Sequence, residues 1–334
     1  MLWTTPFLLC RQDDTASPAR QVRRHTGPMT PLLDTAAIFR RPAGVVRVSG
    51  HDRLAYLHSL LSQQLEDARP GAVADFLYLD AKGNPQAVGR AVVRAGDVLL
   101  VTPAEVAAEL AAALDRFTFL LDAAAESLSD AWALASVRGP GEVPAPGARR
   151  EAMTAVPHGA GLVVRDRSAG VDLLGEKDWV DERVADLDLP EASAADWEAW
   201  RIGAGEQVWG AEIAPGRRAQ ELGLLPTHVH LRKGCYPGQE SIAKVHNLGR
   251  PRRALAVIER AEPMAVGDPV DVPALPGKHG EVTSAAATRD AWVALALVPV
   301  GPDGALPDDG AVQVGGTPAR VRRRVAEGVP QPGA

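Results

Sequence analysis

Cys235 stands in the run Arg232-Lys233-Gly234-Cys235-Tyr236-Pro237-Gly238-Gln239-Glu240. Two glycines and a proline there force a tight backbone, and the residues from Gln239 onward read as a short helix. A thiol placed just ahead of a helix N-terminus meets the positive end of the aligned peptide dipoles, and Lys233 and Arg232 add positive charge beside it. Such surroundings favour the thiolate, the form that attacks or ligates. The pattern therefore predicts single-thiol chemistry at Cys235, supported by Lys233. Gly234, Tyr236 and Gly238 shape the loop, and Gln239 and Glu240 cap or orient it. Local chemistry alone also allows a second reading, a small buried hydrophobe, which is the usual fate of a free cysteine. Upstream, His228-Val229-His230 would put two imidazoles on one face of an extended segment. With Cys235 they still lack a fourth zinc ligand, so no permanent metal is expected.

The rest of the composition narrows what such a thiol can be part of. The chain has 334 residues, enough for two or three domains, and only two cysteines, Cys10 and Cys235. That is too few for a disulfide framework or a cysteine-rich cluster site, and it points to reduced thiols and the cytoplasm. A net charge of -6 argues against a broad nucleic-acid surface. Positive charge is carried by 31 Arg and 5 Lys, so each lysine stands out. No run reaches the roughly 18 apolar residues of a membrane span. Residues 1 to 28 are polar and Arg-rich after a short apolar start and are expected to be a disordered extension, with Met29 as a candidate natural start.

The elements that position the loop follow from periodicity. Val45 to Val48 reads as a strand. Ser49-Gly50-His51-Asp52 then caps a helix bearing Leu54, Leu57, Leu61 and Leu65. Asp75 to Leu79, Val88 to Val93 and Val98 to Val101 form an antiparallel meander. Thr102-Pro103-Ala104-Glu105 has the composition of a capping box, opening a helix with Val106, Leu110, Leu114 and Phe117 on one face. Trp132 to Val137 begins a second unit, with a hairpin at Gly161 to Arg165 and Val171 to Leu174. A helix from Ala194 to Ile202 carries Trp197 and Trp200 as core. Beyond Pro251 five short runs, 255 to 258, 269 to 272, 281 to 285, 292 to 298 and 320 to 325, suggest a small barrel.

Lys233-Gly234-Cys235-Tyr236-Pro237-Gly238-Gln239-Glu240 resembles the signature of the YgfZ family, folate-binding proteins related to the T-protein, the aminomethyltransferase of the glycine cleavage system. His51 to His58, Tyr78 to Gly83, Trp200 to Gly205, Gly210-Ala211-Glu212 and Gln220 to Leu224 extend the resemblance over about residues 29 to 327. It implies an α+β fold of two interleaved ferredoxin-like, T-protein-like domains and a C-terminal small β-barrel around a folate-sized hole. The domains would run 29 to 135, 136 to 250 and 251 to 327, with a tail at 328 to 334. The implied role is a tetrahydrofolate-binding protein that supports assembly or repair of iron-sulfur clusters, including those of tRNA-modifying enzymes. Its partners would be iron-sulfur enzymes or cluster carriers met transiently, with no nucleic acid or membrane bound directly, and the protein would act as a monomer.

Folate needs a carboxylate for the aminopyrimidine edge, apolar or aromatic walls and a basic group for the glutamate tail. Within the resemblance, Glu221 is the candidate for the first, Tyr78 and Trp209 for the walls, and Arg232 and Arg250 for the tail. Two alternatives remain: a folate-dependent aminomethyltransferase and a non-catalytic folate-binding scaffold. T-proteins carry an acidic residue about five positions after the glycine of the strand turn. Counting from Gly83, this chain has Gln86, Ala87, Val88 and Gly89 there, and Gly203 follows Arg201-Ile202 where T-proteins commonly carry Glu. Both departures weaken the transferase reading without touching folate binding.

Overall fold

The computed structural model describes residues 35–140, 143, 152–168, 170–214, 216–248 and 251–326. The expected extension at 1 to 28, the tail at 328 to 334, Cys10 and Arg250 lie outside these described residues. Strand β1 (Ala37–Arg41) is followed by β2 (Gly44–Ser49), helix α1 (Arg53–Leu60), and strands β3 (Val73–Leu79), β4 (Pro85–Val93) and β5 (Asp97–Thr102). Helix α2 (Ala104–Asp115) and β6 (Ala124–Ser127) come next, then β7 (Trp132–Arg138), β8 (Thr154–His158), β9 (Gly161–Arg165) and β10 (Val171–Glu176). Four helices follow, α3 (Lys177–Asp186), α4 (Ala194–Ala204), α5 (Leu225–His228) and α6 (Gln239–Leu248). The last strands are β11 (Arg253–Arg260), β12 (Pro269–Asp271), β13 (His279–Ala287), β14 (Trp292–Pro299), β15 (Ala311–Val314) and β16 (Thr317–Arg324).

Two five-stranded sheets result, in the orders β3-β4-β5-β2-β6 and β1-β7-β10-β9-β8. Strand β1 pairs antiparallel with β7, Ile38 opposite Val137, so the described residues begin in the second sheet, build the first and then return. This is the interleaving the resemblance implied, and it means that residues 29 to 135 do not map onto one sheet. Alternation along β2 and β5 sorts side chains by face. Val46, Val48, Val98 and Leu100 pack under α1 and α2, while Val45 and Leu99 join Leu134, Leu162, Val164 and Leu174 between the two sheets. Helix α3 covers the outer face of the second sheet through Trp179, Val180 and Val184. Backbone hydrogen bonds from Val73 N to Met153 O (3.2 Å) and from Ala155 N to Gly71 O (2.8 Å) join the sheets directly.

The C-terminal strands close into a barrel in the order β11-β14-β13-β12-β15-β16. Five of its strands match the expected runs; β15 is four residues long and follows a Gly- and Asp-rich loop, too short to show a period. Buried Glu212 locks the barrel to the rest. Its carboxylate pairs with Arg201 of α4 at 3.1 Å, and Thr283 and Ser284 of β13 and the Val208 amide donate to it as well. Paired from four sides, this buried carboxylate has its lost hydration replaced by protein partners.

Three local expectations need correction. Thr102 does not cap α2: its buried hydroxyl donates to Val88 O at 2.7 Å, and Pro103 precedes the helix without a side-chain cap. A ladder-side bond to β4 outcompetes the capping box. Phe117 lies past the end of α2 and is 55% exposed. Helix α1 stops at Leu60, so Leu61 and Leu65 are buried from the loop that follows it and not from the helix face.

Candidate functional site

Cys235 is exposed, and the loop that carries it is fastened on three sides. Lys233 Nζ donates to the carbonyl of His58 and, at 2.6 Å, to that of Leu61. Those are carbonyls at the C-terminus of α1, where a helix leaves acceptors unpaired and concentrates negative charge. The same ammonium sits 4.6 Å from the ring centroid of buried Tyr236. Desolvation lowers the lysine to about 8, partly opposed by the neighbouring Cys235. Burial also pushes the Tyr236 phenol up to about 12.

The second fastening is a backbone contact. Gly238 adopts φ +78°, and a Cβ there would lie 2.5 Å from Asp80 O and 2.9 Å from Gly83 Cα. A Cβ on Gly83 would in turn meet Ser241 Cβ at 2.7 Å. Thus the turn after β3 and the entry to α6 touch through glycines on both sides. Asp80 rigidifies that turn by accepting from the Lys82 and Asn84 amides, each at 2.8 Å. The third fastening is Ser62, whose hydroxyl donates to His228 O (2.6 Å) and whose carbonyl accepts from His230 N (2.9 Å). Gln239 Oε1 accepts from the Tyr236 amide at 3.3 Å, while Glu240 and Arg232 are exposed. Tyr236, Pro237 and Gly238 separate Cys235 from the first residue of α6.

A cavity of about 750 Å³ opens elsewhere, between the two sheets, α4 and the end of β16. Apolar wall comes from Val88, Val92, Leu134, Val164, Leu174 and Trp209. Its polar wall is an ion-pair network. Arg90 bridges Asp75 (3.2 Å) and Asp172 (2.8 Å), linking β4 of one sheet to β10 of the other. Arg167 holds the second oxygen of Asp75 at 3.0 Å, and buried Arg138 holds Asp166 (2.6 Å) and Asp172 (2.8 Å). Burial resists charge on Asp75, but Arg90 and Arg167 outweigh it and keep the carboxyl below the usual range. Asp172 behaves likewise under Arg138 and Arg90. Arg90, buried between its two carboxylates, is held firmly protonated by them. These carboxylates were missed from the sequence because no local pattern relates Asp75 to Asp172; the strand pairing alone brings them together.

The residues singled out from the sequence divide between the two places. Trp209 is on the cavity wall. Tyr78 is partly buried beneath α1, in the cluster that Trp209 also touches. Glu221 is mostly buried at the barrel, with Oε2 3.4 Å from Arg253, and it lies outside the cavity wall, as do Tyr78 and Arg232. His228 and His230 do not share a strand face. His228 closes α5 and lines the cavity, whereas the His230 amide is tied to Ser62. Among the described residues no group of three His, Cys, Asp or Glu side chains is placed to hold a metal ion. None of the described helices is long and apolar enough to cross a membrane.

No family model matches the chain. The crystal structure of glycine cleavage system aminomethyltransferase T from Bartonella henselae superposes with a TM-score of 0.73, covering 87% of this chain and 85% of that one at 18% identity. This chain has the T-protein fold. A chloroplastic protein of Arabidopsis thaliana, provisionally named a transferase, is 23% identical over 262 residues, 72% of this chain. The match spans 59% of that protein's length.

Proposed function

We propose that this protein holds a tetrahydrofolate in the cavity between its sheets and offers Cys235 as a single thiolate during assembly or repair of iron-sulfur clusters in target enzymes. The observation that carries this reading is the exposed thiol on a loop clamped by Lys233, Gly238 and Ser62, away from the cavity wall. A thiol so placed meets a macromolecular partner more readily than a small molecule enclosed between the sheets.

The cavity suits a folate in size and lining. Its volume lies within the range of pockets that enclose a drug-sized ligand, and one side is apolar while the other is charged. A bound tetrahydrofolate supplies nitrogens able to carry a one-carbon unit. Val88, Leu134 and Trp209 would exclude water from its rings, and the paired Arg90, Asp75 and Arg167 would orient polar edges. An iron-sulfur cluster, as cargo, needs three or four cysteine ligands. The chain's two cysteines fall short of that number, so with Cys235 offering one thiolate the client or carrier must supply others. Such a thiol works in a compartment that keeps it reduced.

The decisive experiment measures iron-sulfur enzyme activities, cluster-dependent tRNA modification included, in cells lacking the protein and complemented with wild type or Cys235→Ser. Wild type restores them and Cys235→Ser does not; full rescue by the serine variant overturns the thiol half. Calorimetry with 5-formyltetrahydrofolate tests the folate half, which fails if millimolar ligand gives no heat of binding.

The aminomethyltransferase reading is favoured by the fold and by the relative named a transferase. Against it, the β4 residues that reach the cavity after Gly83 include Val88 and Gly89, with no carboxylate among Gln86 to Gly89 to take or orient a proton. Release of methylenetetrahydrofolate from an aminomethylated carrier protein would establish it.

A further inference from the structure

His58 lies in the last turn of α1 and meets the cysteine loop with both its backbone and its ring. Its carbonyl receives Lys233 Nζ. Its Nδ1 lies 3.3 Å from the Leu65 amide nitrogen and 3.4 Å from that of Glu66. A backbone amide can only donate, so Nδ1 accepts from both and the proton of the neutral ring sits on Nε2. Burial and the Lys233 ammonium keep the imidazole neutral by lowering its proton affinity; Glu66 and Asp67 oppose them, and His230 adds to the lowering. The side chain is 12% exposed, and its Nε2–H has no hydrogen-bond acceptor among the described residues. Glu66 Oε2 stands 3.9 Å away, beyond hydrogen-bond distance. What the donor faces is the place of a missing side chain. Apart from its chain neighbours, a Cβ on Gly234 would find one atom within 4 Å, His58 Nε2 at 3.5 Å. The notch so left is floored by Gly234, walled by an unused donor and set beside exposed Cys235, the next residue.

We propose that this notch receives an anionic sulfur of the group brought to Cys235, with His58 Nε2–H as its hydrogen-bond donor. The proposal rests on the reading of Cys235 as a cluster-handling thiol and deepens it. Sulfide and thiolate sulfurs of iron-sulfur clusters accept hydrogen bonds, and such bonds are among a protein's controls over a cluster. An N–H bond to an ionised acceptor is stronger than one to a neutral acceptor, so the notch favours an anion over a neutral group of the same shape. Any side chain at position 234 would occupy that space. Gly234 has no left-handed φ to require a glycine, so the open notch gives the residue a role beyond the path of the loop.

The test alkylates Cys235 in full-length Cys10→Ser protein at about pH 8, where His58 is neutral, with iodoacetate and iodoacetamide as matched anionic and neutral probes. Both reagents depend equally on the thiolate fraction, so the ratio of their rates isolates what the notch adds. His58→Phe should lower the iodoacetate-to-iodoacetamide ratio about fivefold, and His58→Gln, which keeps an N–H donor, should retain most of it. Neither variant changes the charge of the site. Gly234→Ala, whose methyl would meet no atom closer than 3.5 Å outside its chain neighbours, should fold normally and lower the ratio by a similar factor. Thermal melts establish that each variant is folded. An unchanged ratio in His58→Phe, or in Gly234→Ala should His58→Phe not fold, overturns the notch while leaving Cys235 as a native thiol. Failure of the folded Cys10→Ser protein to alkylate at all overturns both.

Discussion

Lys233 donates a 2.6 Å hydrogen bond to the carbonyl oxygen of Leu61, so the lysine two residues from the exposed thiol is also the cap of helix α1. Its charge is shared among the α1 carbonyls, the Tyr236 ring and the Cys235 environment. Removing it should therefore loosen the loop as well as change the thiol's surroundings. Lys233→Met is expected to cost about 1 to 2 kcal/mol in urea denaturation at neutral pH. The pH dependence has a definite sign. Folding lowers the lysine from its ordinary 10.5 to about 8, so between those values the unfolded chain binds a proton that the folded chain does not. Wild-type stability then rises with pH across that window relative to Lys233→Met. Parallel curves for the two proteins would show that the ammonium is not desolvated as the structure describes.

Gly238→Ala places a methyl 2.5 Å from Asp80 O on a backbone already at φ +78°. Both the clash and the left-handed conformation act against it, and neither neighbour is a flexible side chain. A loss of about 2 to 3 kcal/mol is expected, read from the urea midpoint. Gly210→Ala makes the matched control, since Gly210 is also at positive φ but has open space around it. It should cost about 1 kcal/mol.

Asp172 couples the two sheets through Arg90 and Arg138. Its carboxyl, like that of Asp75, is held below the ordinary range in the folded protein. The stability this provides is fully present above the unfolded carboxylate value of about 4 and is lost as pH falls further toward the folded values. Asp172→Asn should cost about 3 to 5 kcal/mol at neutral pH by leaving Arg138 and Arg90 short of a buried counter-charge. The variant's acid-denaturation profile should also be shallower than that of wild type. An equally steep acid transition would place the responsible carboxylates elsewhere.

Much of this architecture is written locally. Alternation marked β2 and β5, the spacing of Trp197 and Trp200 marked α4, and even strand spacing marked the barrel, because burial on one face imposes a period on neighbouring residues. The order Gly-Cys-Tyr-Pro-Gly marked the loop and the helix after it, since glycine and proline act on their own backbone. What was illegible depends on partners far along the chain. Thr102 has the composition of a cap, yet Val88, 14 residues away, takes its hydroxyl. Lys233 reads as an electrostatic neighbour of Cys235, but its hydrogen bonds reach back 172 residues to Leu61. The Arg90–Asp172 bridge across the cavity spans 82 residues. Charged residues obey no period that would reveal such pairs, and Asp75 in a strand resembles any solvated carboxylate until β4 and β10 close over it.

Cys235 itself separates a structural thiol from a working one. A cysteine kept for packing would be buried, and its alkylation would wait on unfolding; this one is exposed in the native protein. In a Cys10→Ser background, so that one thiol remains, iodoacetamide should label Cys235 to completion under native conditions. The rate should be independent of added sub-denaturing urea, because no opening precedes the reaction. Cys235→Ser should melt within about 0.5 kcal/mol of wild type, as exposed substitutions usually do. Labelling that tracks global unfolding, or a large loss of stability in Cys235→Ser, would return the residue to the core and remove the thiolate from the proposed function.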